Sequence, residues 1–154
     1  MSEFIKYNGK LYRAVDIAGN GGEVSPKVAK EVESFAAKQN KKVGDLIREA
    51  VSAVRGGSTG LQASLAARKC VAEAKSVAHA SYTKIENSLG KKGIFAGGVT
   101  DLVKIYSRLV HFVNVSSYFA TEALTDISTA RHPGEVREMK AKALKCLENC
   151  LVGF

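Results

Sequence analysis

Two cysteines near the carboxyl end of the chain, Cys146 and Cys150, have a spacing that could do chemistry. Four residues apart on a helix, their thiols lie on one face, and such a pair is half of a tetrahedral zinc site. No second pair of cysteines or histidines occurs at ligand spacing elsewhere in the sequence. We therefore expect two small apolar side chains on a buried stripe, and we predict neither a metal nor a cofactor.

The histidines do not suggest a catalytic group. His79, His111 and His132 lie far apart in the chain, and none has an obvious acidic partner close in sequence. Acid–base and nucleophilic catalysis both need such groups within hydrogen-bond reach of one another. The pattern H-E-x-x-H is also missing. We predict that the protein is not an enzyme and assign no catalytic residue.

Two glycine-rich stretches, 19–27 and 90–100, invite comparison with phosphate-binding loops. The second reads GKKGIFAGGVT and places lysines, glycines and a threonine before a predicted helix, where backbone amides can bind an anion. It lacks the order G-x-x-x-x-G-K-[ST], and no predicted strand precedes it, while the first stretch lacks the dinucleotide pattern. Both stretches are interpreted as loops.

A formal net charge of +8 favours anionic partners, although no run of consecutive basic residues forms a tail. Basic pairs near helix ends suggest contacts to phosphates, which position a protein without reading bases. One hypothesis is therefore a basic nucleic-acid-binding module. The residues assigned to that role are Lys41, Lys42, Arg48, Arg68, Lys69, Lys91 and Lys92.

The sequence predicts synthesis in the cytoplasm, because no basic region followed by an apolar region comes after Met1. The longest apolar stretch, 102–124, contains charged residues and is interpreted as a core helix rather than a membrane span. We expect no membrane contact.

The elements that must position any site begin with a predicted β-hairpin. Residues 4–7 and 10–15 alternate around Asn8-Gly9, a dipeptide that favours the tight turn between two antiparallel strands. A lone two-stranded hairpin is marginal in water, so this one must pack on its own helices or on another chain. The residues assigned to protein contact are Ile5, Tyr7, Lys10, Leu11, Tyr12 and Arg13.

The remainder of the chain has helical periodicity. Ser25-Pro26 begins the first helix, 39–42 is a polar break before a second that ends at 56–57, and 58–59 caps a third that ends near 90. A fourth helix from Thr100 to about Ala130 is apolar nearly all round, which predicts that other helices surround it. A last helix spans about 135–151.

The sequence thus predicts a mainly α protein, a four- to five-helix bundle with a short N-terminal β-hairpin. The predicted parts are the hairpin at 1–18, a flexible glycine-rich joint at 19–24 and the helical bundle domain at 25–154.

Two resemblances bear on function. The segment YNGKLYRAVD, through Tyr7–Arg13, resembles a short cassette at the start of small structural or virion-associated proteins of tailed bacteriophages. That resemblance implies a component of an assembled particle, in which the hairpin adds a strand to a neighbour.

Residues 25–54, with VGDLIREAV, resemble the two helices of ribbon-helix-helix DNA-binding proteins. Residues 19–24 lack the strand that this second family needs.

The first hypothesis is a non-enzymatic structural or interaction protein within a homo- or hetero-oligomeric assembly such as a phage particle, with itself or other structural proteins as partners. The nucleic-acid-binding module is the alternative.

Overall fold

A computed structural model describes residues 4–7, 10–13, 26–57, 59–96, 100–152 and 154. At positions 4–7, 10–13, 26, 95–96 and 100–101 only the backbone is described. The predicted joint at 19–24 and the turn at Asn8-Gly9 lie outside the described residues. The described part is mainly helical, which confirms the predicted fold class at that level.

The helices form one bundle. They are α1 (Pro26–Gly56), α2 (Gly60–Ala96), α3 (Thr100–His111), α4 (Ser117–Thr129) and α5 (Pro133–Leu151). A π-helical turn, Phe112–Ser116, joins α3 to α4 without a break, so α3 and α4 together form one helical rod. With α1, α2 and α5, the described residues form four such rods. The predicted helix from Thr100 to about Ala130 is confirmed in extent. No feature of the sequence analysis indicated its π turn.

The predicted break at 39–42 is wrong, because α1 is one continuous helix from Pro26 to Gly56. The buried residues Val32, Ala36, Val43 and Ile47 explain why. Ala36 and Val43 are seven residues apart, two helical turns, so the apolar stripe keeps its phase across the polar segment. The two separate helices implied by the ribbon-helix-helix resemblance are therefore not found.

The predicted end of the next helix near residue 90 also needs correction. Thr59 does cap α2, since its Oγ1 accepts a hydrogen bond from the backbone N–H of Gln62 at 3.1 Å. At Gly90 the backbone leaves helical geometry, with φ 70° and ψ 156°, and the helix resumes to Ala96. Residues 90–96 are therefore not a loop. The segment beyond the kink packs inward because Ile94 is fully buried.

The core lies between the four helical rods. Small and β-branched residues of α2, among them Ala67, Val71, Ala74 and Ala78, are buried where α2 packs on its neighbours. Leu109, Leu124 and Leu147 from the later helices complete the same cluster, which confirms the predicted buried stripes. No helix in the described part of the chain is long and apolar enough to cross a membrane.

The apolar rod of α3 and α4 is not surrounded on all sides, contrary to the sequence expectation. Phe112, Ala120 and Leu124 are buried, but Tyr118 and Phe119 are 59% and 55% exposed. In a four-helix bundle each helix keeps an outer face, and here that face carries aromatic residues.

Two short strands, β1 (Phe4–Tyr7) and β2 (Lys10–Arg13), are paired antiparallel, with Ile5 opposite Tyr12 and Tyr7 opposite Lys10. The backbone of β2 approaches α2. Their side chains lie outside the description, so the hairpin as a contact element stays a prediction.

Candidate contact groove

A groove with a volume of about 600 Å³ lies between α1 and α3. From α1 it is lined by residues at helical spacing, which share one face of that helix. From α3 it is lined by residues of the first two turns. The lining residues are Lys30, Glu33, Ser34, Ala37, Asn40, Leu102, Lys104, Ile105 and Arg108.

Charge in this groove is mostly positive. Lys30, Lys104 and Arg108 contribute three cations and Glu33 one carboxylate, which leaves a net charge of +2. Among the side chains the structure describes, none of these three cations forms an ion pair. Their charges are therefore available to a ligand rather than neutralised within the bundle.

The lining also carries an unsatisfied acceptor and apolar contacts. Asn40 Oδ1 is buried and accepts no hydrogen bond from any described group. A buried polar atom without a partner costs free energy, and because this oxygen has almost no accessible surface, it does not serve a ligand in the groove. Ala37 and Ile105 add apolar surface beside the cations, and no aromatic ring is among the described residues that line the groove.

The structure attaches α3 firmly to α2 beside this groove. The hydroxyl of Tyr106 donates a hydrogen bond to the carboxylate of Glu86. The rings of Tyr82 and Tyr106 meet edge to face with centroids 6.3 Å apart. These contacts hold α3, and with it Lys104 and Arg108, against α2.

The residues assigned to nucleic-acid binding do not gather on one site. Lys84 Nζ, late in α2, lies 4.4 Å from the ring centre of Phe35, early in α1, so the two helices run antiparallel. The two ends of α2 therefore lie at opposite ends of the α1–α2 pair. Lys91 and Lys92 belong to one end and Arg68 and Lys69 to the other half.

Two of those cations are already paired. Asp45 accepts hydrogen bonds from Lys41 at 2.9 Å and from Arg48 at 3.1 Å. The same two partners, Lys41 first, lower the pKa of the Asp45 carboxyl.

Arg68 donates to the backbone oxygen of Ser64 at 3.4 Å. Lys42, Lys69, Lys91 and Lys92 are exposed.

The residues assigned to protein contact, Ile5, Tyr7, Lys10, Leu11, Tyr12 and Arg13, all lie where only backbone is described. The structure therefore gives no arrangement of these side chains.

The histidines and cysteines are arranged as separate features. His79 contacts the ring of Tyr82, His132 precedes α5, and His111 ends α3. Within the described ranges, no three His, Cys, Asp or Glu side chains come close enough to hold a metal ion. Cys146 and Cys150 do share one face of α5, where Cys150 is buried and Cys146 partly so. All three cysteines are free thiols.

Sequence reasoning missed the groove because its cations come from helices far apart in the chain. Lys30, Lys104 and Arg108 carry no local motif.

Comparisons with known proteins give no match: no family model fits the chain, no curated protein is similar to it, and no solved structure resembles it.

Proposed function

We propose that this protein is a non-enzymatic interaction protein whose α1–α3 groove binds an acidic, partly apolar segment of a partner protein. The observation that carries the proposal is the set of three cations, Lys30, Lys104 and Arg108, which line one groove together with Ile105. Among the described side chains these cations form no ion pair. An acidic amphipathic segment would match both the charge and the apolar surface.

The lining favours a peptide over a nucleic acid for one reason. Binding of single strands commonly uses aromatic rings on which bases stack, and none is among the described residues that line the groove.

Two finer parts of the proposal rest on the sequence alone. The first is that the hairpin of residues 1–18 is a second contact element that adds a strand to a neighbour. The second is that the assembly is a phage particle, which the resemblance of Tyr7–Arg13 to virion-associated proteins supports.

The test compares two variants with the same net charge. One carries Lys30→Glu, Lys104→Glu and Arg108→Glu in the groove, and the other carries Lys38→Glu, Lys75→Glu and Lys145→Glu on exposed faces outside it. The probe is a labelled amphipathic peptide of about 12 residues, which makes about three helical turns, with glutamates on one side and leucines on the other.

We expect the groove variant to bind the peptide at least about tenfold more weakly than the natural chain, a loss of about 1.4 kcal/mol or more. The control variant should lose less than about threefold, because its cations act only at long range through screening solvent. Equal losses in both variants would show that net charge and not the groove governs binding, and would overturn the proposal.

Duplex DNA of unrelated sequence tests the alternative in the same assay. A nucleic-acid-binding module would retain DNA at low salt and release it steeply as salt rises. If DNA binds and substitution of Lys42, Lys69, Lys91 and Lys92 abolishes that binding while the groove variant keeps it, the nucleic-acid function replaces the groove proposal. The native mass in solution, alone and with DNA, measures whether the chain assembles.

A further inference from the structure

The rod formed by α3 and α4 carries an exposed patch on one side of its π-helical turn. His111, Val115 and Phe119, four residues apart, line the same cleft beside α5, so they lie on one side of the rod. Val115 is 38% exposed and Phe119 is 55% exposed, and His111 is exposed beside them. Contiguous apolar patches with a polar rim are typical of interaction sites. We call these three residues the outer patch.

Charged residues continue this side of the rod in both directions, with opposite signs. Arg108 and Lys104 lie about one and two helical turns before the outer patch, and Glu122 and Asp126 lie about one and two turns after it. Among the described side chains, none of these four takes part in an ion pair. The outer patch and these four residues together form an outer stripe, which is basic at one end and acidic at the other.

The outer stripe is complementary to itself when it is reversed. From Lys104 to Asp126, its successive members are separated by 4, 3, 4, 4, 3 and 4 residues, a spacing that is the same in both directions from Val115. A second copy that lies antiparallel, with its Val115 on this Val115, therefore places Lys104 opposite Asp126 and Arg108 opposite Glu122. A parallel alignment would place like charges together, which is unfavourable across an interface.

We propose that the acidic segment bound at the α1–α3 groove is α4 of a second copy of this chain, so that two copies form a symmetric antiparallel dimer along the outer stripe. The dimer rests on the proposed function of the groove, because Lys104 and Arg108 belong to both the stripe and the groove. Helix α4 has the chemistry that the groove favours, since it contains two carboxylates, no lysine or arginine, and the exposed ring of Phe119. In a twofold interface every contact occurs twice, so each copy both gives and receives an α4.

The length and the centre of the stripe suit two rods that pack side by side. The stripe extends over about 22 residues, which corresponds to about 33 Å of helix. At its centre, Phe119 of each copy packs against His111 and Val115 of the other, so the apolar surface that the bundle leaves exposed is covered. Glu122 is held in place by the hydroxyl of Tyr118, which donates to its Oε1 at 3.2 Å and leaves its negative charge for the second copy.

Charge reversal at the two ends of the stripe tests this dimer in the full chain. The basic-end variant carries Lys104→Glu and Arg108→Glu, and the acidic-end variant carries Glu122→Lys and Asp126→Lys. We expect the natural chain to sediment as a dimer. In either variant alone like charges meet, so the dissociation constant of its dimer should rise at least about tenfold. An equal mixture of the two variants should form a mixed dimer, because each reversed end then meets a charge of opposite sign.

A second pair of variants with the same net charges controls for general attraction between acidic and basic proteins. One carries Lys38→Glu and Lys75→Glu and the other carries Glu49→Lys and Glu73→Lys, all at exposed positions outside the outer stripe. Each should dimerise within about threefold of the natural chain, because charges away from the interface are screened. Circular dichroism verifies that all four variants are folded. A monomeric natural chain, stripe variants that behave like these controls, or a mixture without a mixed dimer would each overturn the proposal.

The acidic-end variant also separates this dimer from the proposed function. It retains Lys30, Lys104 and Arg108, so it should bind the acidic amphipathic peptide although it does not dimerise. A monomeric natural chain whose groove binds the peptide would overturn the dimer and leave the proposed function intact. An acidic-end variant that does not bind the peptide would overturn the proposed function, whereas the mixed-dimer measurement alone decides the pairing of the stripes.

Discussion

Lys140 Nζ donates a hydrogen bond to the backbone oxygen of Gly57 at 2.7 Å and so joins α5 to the loop between α1 and α2. Gly57 follows the last residue of α1, and its N–H donates to the oxygen of Ala53 at 3.0 Å. Lys140 thus supplies a hydrogen-bond donor to a carbonyl at the C-terminal end of α1, where no intrahelical donor remains. Its positive charge also interacts favourably with the negative end of the helix dipole.

Replacing this donor should weaken the bundle. We expect Lys140→Met, which keeps most of the apolar stem, to lower the free energy of unfolding by about 1–3 kcal/mol in chemical denaturation. Lys145→Met, at an exposed position on the same helix, is the control and should change it by less than about 0.5 kcal/mol. Equal effects of the two substitutions would show that the bond contributes nothing specific.

The Tyr106–Glu86 hydrogen bond predicts a loss of stability at high pH. Burial of Tyr106, together with this bond to Glu86, raises the pKa of the tyrosine hydroxyl. Above the ordinary tyrosine pKa of about 10, the unfolded chain loses the phenolic proton while the folded chain keeps it. The unfolded state is then favoured, and stability falls with rising pH by about 1 kcal/mol per pH unit.

Unfolding curves at several pH values above about 9.5 measure that slope, with Tyr106→Phe as the control that cannot ionise. The variant should lose less stability across this range than the natural chain. Parallel curves for the two proteins would contradict the assigned role of Tyr106.

The kink at Gly90 depends on a backbone conformation that other residues rarely adopt. With φ 70° and ψ 156°, an alanine at this position is strained, and we expect Gly90→Ala to cost about 1–3 kcal/mol. In the first turn of α5, by contrast, a Cβ at Gly134 meets no atom within 4 Å. Gly134→Ala should therefore be neutral or stabilise the protein by up to about 1 kcal/mol. Thermal unfolding of both variants verifies the contrast, which would disappear if the kink were unstrained.

Substitutions on the outer face of α4 should be tolerated, whereas substitutions on its inner face should destabilise the protein. Phe119 is 55% exposed, whereas Leu124, on the same helix, is fully buried. We expect Leu124→Ala to cost about 2–5 kcal/mol and Phe119→Ala less than about 1 kcal/mol by the same denaturation measurement. A large loss for Phe119→Ala at high protein concentration alone would indicate that another chain covers this face.

Deletion of residues 1–18 tests the predicted hairpin. Because the core is built from α1 to α5, the shortened chain should keep its helical circular dichroism. If the hairpin completes a contact with a neighbour, the native mass measured by light scattering should fall to that of a smaller species. Unchanged assembly of the shortened chain would show that the hairpin is not the contact element.

Local pattern accounts for most of what could be predicted. The buried faces of α1 and α2 follow from apolar residues repeated at helical spacing, because that spacing alone places side chains on one side of a helix. Thr59 could be predicted as a cap for a similar reason, since its bond to Gln62 spans three residues. The prediction of a break at 39–42 was wrong because it followed the polarity of those residues and not the phase of the apolar stripe. Ala36 and Val43, both buried, lie two helical turns apart on that stripe.

The groove and the surroundings of the two cysteines of α5 depended on how the helices pack. Lys30 lines the same groove as Lys104 and Arg108 only because α3 lies against α1, and no pattern within either segment indicates that arrangement. Likewise, the sequence places Cys146 and Cys150 on one face of a helix. Only the tertiary structure buries one thiol against Ser116 and opens the other to a cleft. Periodicity is a property of neighbouring residues, whereas the surroundings of a side chain depend on contacts between distant segments, which packing decides.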